Sequence, residues 1–189
     1  MQGYWRAHTG MSAASFDEDG YYCSGDALRF ADPLHPEFGL MFDGRIAEDF
    51  KLSTGTFVSV GPMRARIVSQ GAPYIQDVVV TGRDRDTVGV LVFPRIDPCR
   101  TLAALDEAAG VREVLCSVAV RAFFADLLAR LNSDSTGSAN YIDVMRLLDA
   151  PPSLDAGEVT DKGSLNVNAV LTRRASFVDS MYDGTSDDP

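Results

Sequence analysis

Two short apolar runs on either side of a charged turn constrain this chain more than any other feature. Residues 76–81 carry Val78-Val79-Val80, residues 88–93 read VGVLVF, and GRDRD lies between them. β-Branched runs of this length favour strands, and a polar connection containing glycine joins them as a hairpin. Neither run alternates apolar with polar residues, so both faces of the sheet they form need cover.

The neighbouring segments can supply that cover. Residues 62–70 read as a short helix with Pro62 near its first turn and Gly71 beyond its end. Residues 101–132 read as helical, in two pieces broken near Gly110, with Val120, Phe124, Leu127, Leu128 and Leu131 forming one apolar core stripe. The polar stretch SDSTGSA (133–139) is a connection, and residues 144–149 read as a third buried strand ended by Pro151-Pro152. A polar loop, DAGEVTDKGSLN (155–166), leads into one last helix with Val167, Val170, Leu171, Phe177, Val178 and Met181 on one side. The fold class expected is α+β: a small domain with a helix-covered small sheet.

Upstream the pattern differs. Residues 1–20 open abruptly, with Tyr4 and Trp5 beside a short polar stretch and no helix start, so the chain is expected to begin inside a domain. Residues 21–30 and 39–45 read as two strands joined by the proline-containing ADPLHPEF. Two strands alone are marginal, so they need a further sheet or the following domain to lean on. The expected division is a strand-rich remnant of a larger domain at 1–46, a small domain at 47–182, and a disordered tail at 183–189.

Composition removes several function classes. No run approaches the roughly 18 apolar residues of a membrane span and no signal peptide is evident, so a cytoplasmic protein is expected. A net charge of −10 argues against nonspecific binding to nucleic acid or an anionic membrane, so an anionic ligand must be met by a few placed cations. Cys23, Cys99 and Cys116 are odd in number and widely spaced, which suggests buried thiols rather than a disulfide framework or zinc site. His8 and His35 are the only histidines, which weakens any Ser-His triad or histidine-rich metal centre.

The cations themselves are unusual. The chain has fifteen arginines but only two lysines, Lys51 and Lys162. A lysine is a compact charge on a flexible stem, able to follow a moving negative charge, whereas arginine is a rigid fork. Lys51 lies between Phe50 and Leu52 in a strand that precedes the turn Ser53-Thr54-Gly55, and Lys162 lies in the polar loop. Glycine also stands beside charge at Ser24-Gly25-Asp26 and Gly44-Arg45. Asp26 reads either as a turn cap or as an acceptor for a hydroxyl pair, and Arg45 either as half of a salt bridge or as a ligand contact. The runs Asp17-Glu18-Asp19 and Arg83 to Asp86 read as solvated turns with no functional role.

In joint order these features resemble the adenylate-forming enzymes, the acyl-CoA synthetase superfamily, and most closely feruloyl-CoA synthetases. Tyr22-Cys23-Ser24-Gly25-Asp26 is similar to the family's Tyr-Arg-Thr-Gly-Asp motif, with Cys23 in place of arginine. The stretch DGRIAEDFKLSTGTFVSVGP is similar to the segment around the interdomain hinge, with Ala47 where relatives commonly carry Asp or Lys. DAGEVTDKGSLN is similar to the loop of the C-terminal catalytic lysine.

The resemblance implies an α+β C-terminal domain that follows a remnant of the large AMP-binding domain. It implies that Asp26 and Arg45 hold the ribose hydroxyls of ATP or AMP, and that Lys162 reaches the carboxylate and nucleotide phosphate during adenylation. Lys51 would serve the second half-reaction, with Gly55 near the pantetheine path of coenzyme A. Mg²⁺, an aromatic or other carboxylic acid, and a large N-terminal domain complete the implied set. Two other readings share the motifs: an adenylation module that loads a carrier protein, and a non-catalytic accessory domain docking on a partner's large domain. The isolated chain is expected to be inactive.

Overall fold

A computed structural model describes residues 15–183 and divides the chain into two compact units, with the boundary between Glu48 and Asp49. The opening segment with Tyr4, Trp5 and His8, and residues 184–189 of the tail expected to be disordered from 183, lie outside the described residues; Asp183 itself caps the last helix, its N–H donating to Asp179 O.

The described part of the first unit is built on one antiparallel ribbon, β1 (Asp26–Phe30) paired with β2 (Leu40–Arg45), and a 3-10 turn at Pro36–Phe38 lies between the strands. The register slips between Ala27 and Leu28, so that Ala27 pairs with Gly44 and Leu28 with Phe42. Gly44 makes this bulge possible, because its φ of 112° lies where a side chain is strained. The bulge places Arg45 directly opposite Asp26. Much of the ribbon's apolar surface is open: Leu28 is 56% exposed and Phe42 61%, with Phe30, Leu40 and Met41 also exposed.

In the second unit β5 (Ile75–Thr81) and β6 (Val88–Pro94) form the expected hairpin, and β7 (Ile142–Leu147) adds to β6 in parallel, giving the order β5-β6-β7. The unbroken apolar runs are explained by cover on both sides. Val78, Val80, Val88, Val90 and Val92 pack with α1 (Val60–Gln70) and α4 (Val118–Ser133). Val79, Leu91 and Phe93 pack with α5 (Val167–Arg173) and α6 (Ala175–Tyr182). Neighbouring residues of one strand therefore serve two different cores. The structure is the α+β arrangement expected, with a small sheet between helices.

Local chemistry explains several boundaries. Helix α1 buries Val60, Met63 and Ile67, and its first amide, Val60 N–H, donates to Asp49 Oδ1 at 2.8 Å. Asp49 thus caps from eleven residues away, while the adjacent Ser59 makes no side-chain cap. The 101–132 region differs from expectation. A helix α2 (Ile96–Leu102) starts earlier, with Pro98 in its first turn where a missing N–H costs little; turns follow, and Gly110 precedes α3 (Val111–Cys116). Ser117 then breaks the chain again, its side chain accepting from Val120 N–H at the start of α4. The single last helix is likewise two, broken at Arg174.

The expectation of buried thiols holds for Cys99 alone. Its thiol is pushed up to about 11 by burial, whereas Cys23 and Cys116 are exposed. Cys116 ends α3, whose core contacts are made by Val114 and Leu115. Among the described residues no helix is long and apolar enough to cross a membrane.

Candidate functional site

The residues singled out in the sequence fall into three places, one in the first unit and two in the second. In the first unit the bulged ribbon brings Asp26 and Arg45 together: Arg45 Nε lies 3.1 Å from Asp26 Oδ1. The contact is an ion pair without hydrogen-bond alignment, for Asp26 Oδ1 is buried and accepts no hydrogen bond. Ser24 Oγ accepts from Asp26 N–H at 3.2 Å, so this hydroxyl caps the turn and the Asp26 carboxylate, 32% exposed, does not. Arg45 is 59% exposed. An acceptor with unused capacity beside an open guanidinium suits a vicinal diol, which both donates and accepts.

The second place surrounds Lys51. Strands β3 (Phe50–Lys51) and β4 (Phe57–Val58) pair so that Lys51 faces Phe57, and Leu52 N–H to Thr56 O at 2.9 Å closes the turn around Ser53-Thr54-Gly55. Phe50 and Leu52 are buried, so Lys51 between them must point outward, and it is exposed. Gly55 has φ 82° and open space where a side chain would stand.

The charged tip between β5 and β6 supports this strand pair, a role missed in the sequence. Asp84 N–H donates to Lys51 O at 3.1 Å and Ser53 N–H to Arg85 O at 2.9 Å. The Ser53 hydroxyl donates to Asp86, and Arg83 Nη2 donates to Asp49 O at 3.3 Å. Gly82 permits the close approach: a Cβ there would stand 2.7 Å from Thr87 O and 3.3 Å from the Phe50 ring. Arg85 continues the tip to α6, pairing with Asp179 and lying 5.2 Å over the Tyr182 ring. Alternating charges looked like solvent-facing residues because local sequence does not reveal what packs against a turn.

The third place is a small hairpin carrying Lys162 at its tip. Val159 bridges Leu165, Thr160 N–H donates to Ser164 O, and Gly163 N–H donates to Thr160 O, the last two at 2.8 Å. Gly163 at φ 78° closes the turn, leaving the adjacent Lys162 exposed. The base of the hairpin is anchored by Glu158, whose side chain is 0% exposed. Arg174 grips it with Nε to Oε1 and Nη2 to Oε2, both at 2.9 Å, and Ser153 N–H donates to Oε2 at 2.7 Å. The Arg174 hydrogen bonds hold the Glu158 carboxyl down at about 2, against the desolvation that opposes them. Arg174 also donates to the carbonyls of Ala150 at 3.3 Å and Pro151 at 3.2 Å, and lies 5.0 Å over the Phe93 ring. Neither Glu158 nor Arg174 stood out in the sequence, where one was a loop acid and the other half of an Arg-Arg pair.

These anchors put the two lysines at opposite ends of one sheet. Lys51 is tied to the turn that precedes β6, and the Lys162 hairpin is tied through Arg174 to Phe93 near the end of β6. At about 3.4 Å per residue the seven-residue strand β6 separates its ends by about 20 Å. Among the described residues no group of three His, Cys, Asp or Glu could hold a metal ion, so these residues alone do not make a Mg²⁺ site.

Residues 48–186 match the family model described as the AMP-binding enzyme C-terminal domain. The chain belongs to this family. The match covers the second unit with both lysine places, and the adenylate-forming superfamily is the one expected from the motifs. Probable acyl-activating enzyme 16, chloroplastic, from Arabidopsis thaliana is 20% identical over 189 residues, which are 96% of this chain and 26% of the relative. The chain therefore spans about a quarter of the curated relative it matches. The A domain of carboxylic acid reductase from Segniliparus rugosus, solved in complex with AMP and a co-purified carboxylic acid, superposes with a TM-score of 0.70. It is 20% identical, with 97% of this chain and 26% of that chain covered. The A-PCP didomain of the same reductase, in complex with AMP, gives 0.70 at 21% identity over 96% and 23%. ATP-bound MatB from Rhodopseudomonas palustris gives 0.59 at 17% identity over 93% and 28%. At these identities the AMP-binding enzyme C-terminal domain shares a fold with these proteins.

Proposed function

We propose that this chain is the lysine-presenting part of an ATP-dependent acid-CoA ligase, of feruloyl-CoA synthetase type, working with a large nucleotide-binding domain. The observation that carries the proposal is the placement of the two lysines at opposite ends of one sheet. A single orientation of such a domain cannot bring both cations to one reacting centre, whereas a rotation between two half-reactions can.

In the first half-reaction the carboxylate oxygen bonds to the α-phosphorus of ATP and pyrophosphate leaves. Lys162, held out on a hairpin with an immobilised base, stabilises the charge that builds there. Asp26 and Arg45 hold the ribose hydroxyls by accepting and donating hydrogen bonds. In the second half-reaction the thiol sulfur of coenzyme A bonds to the acyl carbon, AMP leaves and the thiol proton passes to solvent. The Lys51 face is then presented, and the open Gly55 lets the pantetheine arm run close to the backbone. The exposed apolar ribbon β1–β2 supports a large domain as partner, because open apolar surface of this kind is a docking face.

The test uses the intact ligase and follows the half-reactions separately. Lys162→Ala lowers ATP-pyrophosphate exchange about a hundredfold or more, the cost of removing one well-placed transition-state donor. Lys51→Ala leaves exchange within about threefold and slows thioester formation about tenfold or more. Near-normal exchange with Lys162→Ala overturns the assignment of the hairpin. Exchange by the isolated 189-residue chain with ferulate overturns the need for the large domain. Likeness to the A-PCP didomain favours a second reading, in which a carrier-bound thiol is the acyl acceptor. Acyl transfer to a carrier protein with none to free coenzyme A would select it.

A further inference from the structure

A cavity of about 740 Å³ lies outside the ends of the parallel strands β6 and β7. Its apolar part is formed by Phe93, Ile96, Val111 and Leu148. Its lining carries two acids and two arginines, and the pairing among them leaves one arginine over, because Asp149 pairs with an arginine outside the lining. Asp97 is matched by Arg100 Nη1 at 2.6 Å, and Asp149 by Arg112 Nε at 3.6 Å. Arg95 lines the cavity and is exposed, with no hydrogen bond or ion pair from its side chain to any described residue. Arg100 is only 18% exposed, yet its Nε is buried with no hydrogen-bond partner. A buried donor of this kind costs free energy when left unused and gains it back when an acceptor arrives.

Both carboxylates thus have an arginine partner, while the Arg95 guanidinium and the buried Arg100 Nε–H have no acceptor among the described residues. In a chain of net charge −10, an anion binds only where cations have been placed for it. We propose that this cavity binds a small organic anion, its carboxylate or phosphate oxygens meeting the guanidinium groups of Arg95 and Arg100 and its apolar body resting on Phe93, Ile96, Val111 and Leu148. The volume suits a ligand of metabolite size, and the ends of parallel strands are where open α/β sheets commonly bind ligands. The segment at Ala150 and Pro151 also lines the cavity, and its carbonyls receive Arg174. The cavity and the Lys162 hairpin therefore share a support. This site does not rest on the adenylation reading and can fail or stand without it.

The test is NMR titration of the full chain, following backbone amides and the Arg100 Nε–Hε resonance, with benzoate, phenyl phosphate, inorganic phosphate and the neutral benzamide. The expected result is saturable binding at millimolar concentration or below by benzoate or phenyl phosphate, with shifts at Gln76, Phe93, Val111 and Leu148 and at Arg100 Nε–Hε. Whichever of the two binds more tightly identifies the head group. Arg95→Ala, a change at an exposed side chain, weakens binding about tenfold, as does Arg100→Lys, which keeps the charge and loses the fork. Should Arg100→Lys fail to fold, Arg95→Ala decides. Equal binding by benzamide, inorganic phosphate binding as tightly as phenyl phosphate, unchanged affinity in Arg95→Ala, or shifts confined to other regions would each overturn the proposal.

Discussion

The two lysine hairpins of the second unit are held by opposite physical means. The Lys51 strand pair rests on apolar anchors, Phe50 and Leu52, and on a fringe of exposed hydrogen bonds to the β5–β6 tip. The Lys162 hairpin packs Leu165 against the second core cluster, but what sets it apart is a buried carboxylate gripped by Arg174. Exposed polar contacts are individually weak because water competes for both partners. A buried charge pair is costly to break, because the partner left behind stays charged and dry. One lysine is therefore held by many small terms, the other chiefly by one large one.

The largest break of this contrast is Arg174→Ala. It leaves the buried Glu158 with only Ser153 N–H and the more distant Arg173 and removes the bonds to Ala150 and Pro151, and unfolding in urea should show a loss of about 3–5 kcal/mol. A loss below 1 kcal/mol would mean the hairpin is held by something other than this pair.

Acid gives a second reading of the same pair. Glu158 is held at about 2 in the folded chain against an ordinary value of 4.5. Its folded value is depressed, so its contribution is complete above the unfolded value and is lost as pH falls from about 4.5 towards 2. The full contribution is about 3 kcal/mol. Stability measured across that window should fall in the parent chain and fall less steeply in Glu158→Gln, which carries no titrating group there. Equal slopes would remove Glu158 as the source.

The Lys51 side should respond more gently. Gly82→Ala forces a Cβ to within 2.7 Å of Thr87 O at a φ of 137° and should cost about 1–3 kcal/mol by thermal unfolding. Ser53→Ala loses one exposed side-chain hydrogen bond to Asp86 and should cost no more than about 1 kcal/mol. A larger effect from Ser53→Ala than from Arg174→Ala would invert the contrast.

Much of this was legible locally. The β5–β6 hairpin, the turn at Ser53-Thr54-Gly55, the α1 helix ending before Gly71 and the stripe of α4 all follow from residue pattern, because strand and helix periodicities are set within a few residues. Gly44 next to Arg45 was visible as a pair, although the bulge that sets Arg45 against Asp26 was not. The helix breaks at Ser117 and Arg174 escaped notice, since one depends on a side-chain cap and the other falls at a guanidinium committed to Glu158, sixteen residues away.

By itself the sequence determined the β5–β6 hairpin, α1 and the apolar stripe of α4, that both faces of the sheet are covered, and that two lysines stand apart in an arginine-rich chain. Only the tertiary structure decided that β7 joins β6 in parallel, that Asp49 caps α1, that the β5–β6 tip supports Lys51, and that the lysines occupy opposite ends of one sheet. The reason is physical: periodicity reports the chain's neighbours along its length. Pairings between distant segments are chosen by burial, charge satisfaction and loop closure acting on the whole chain at once.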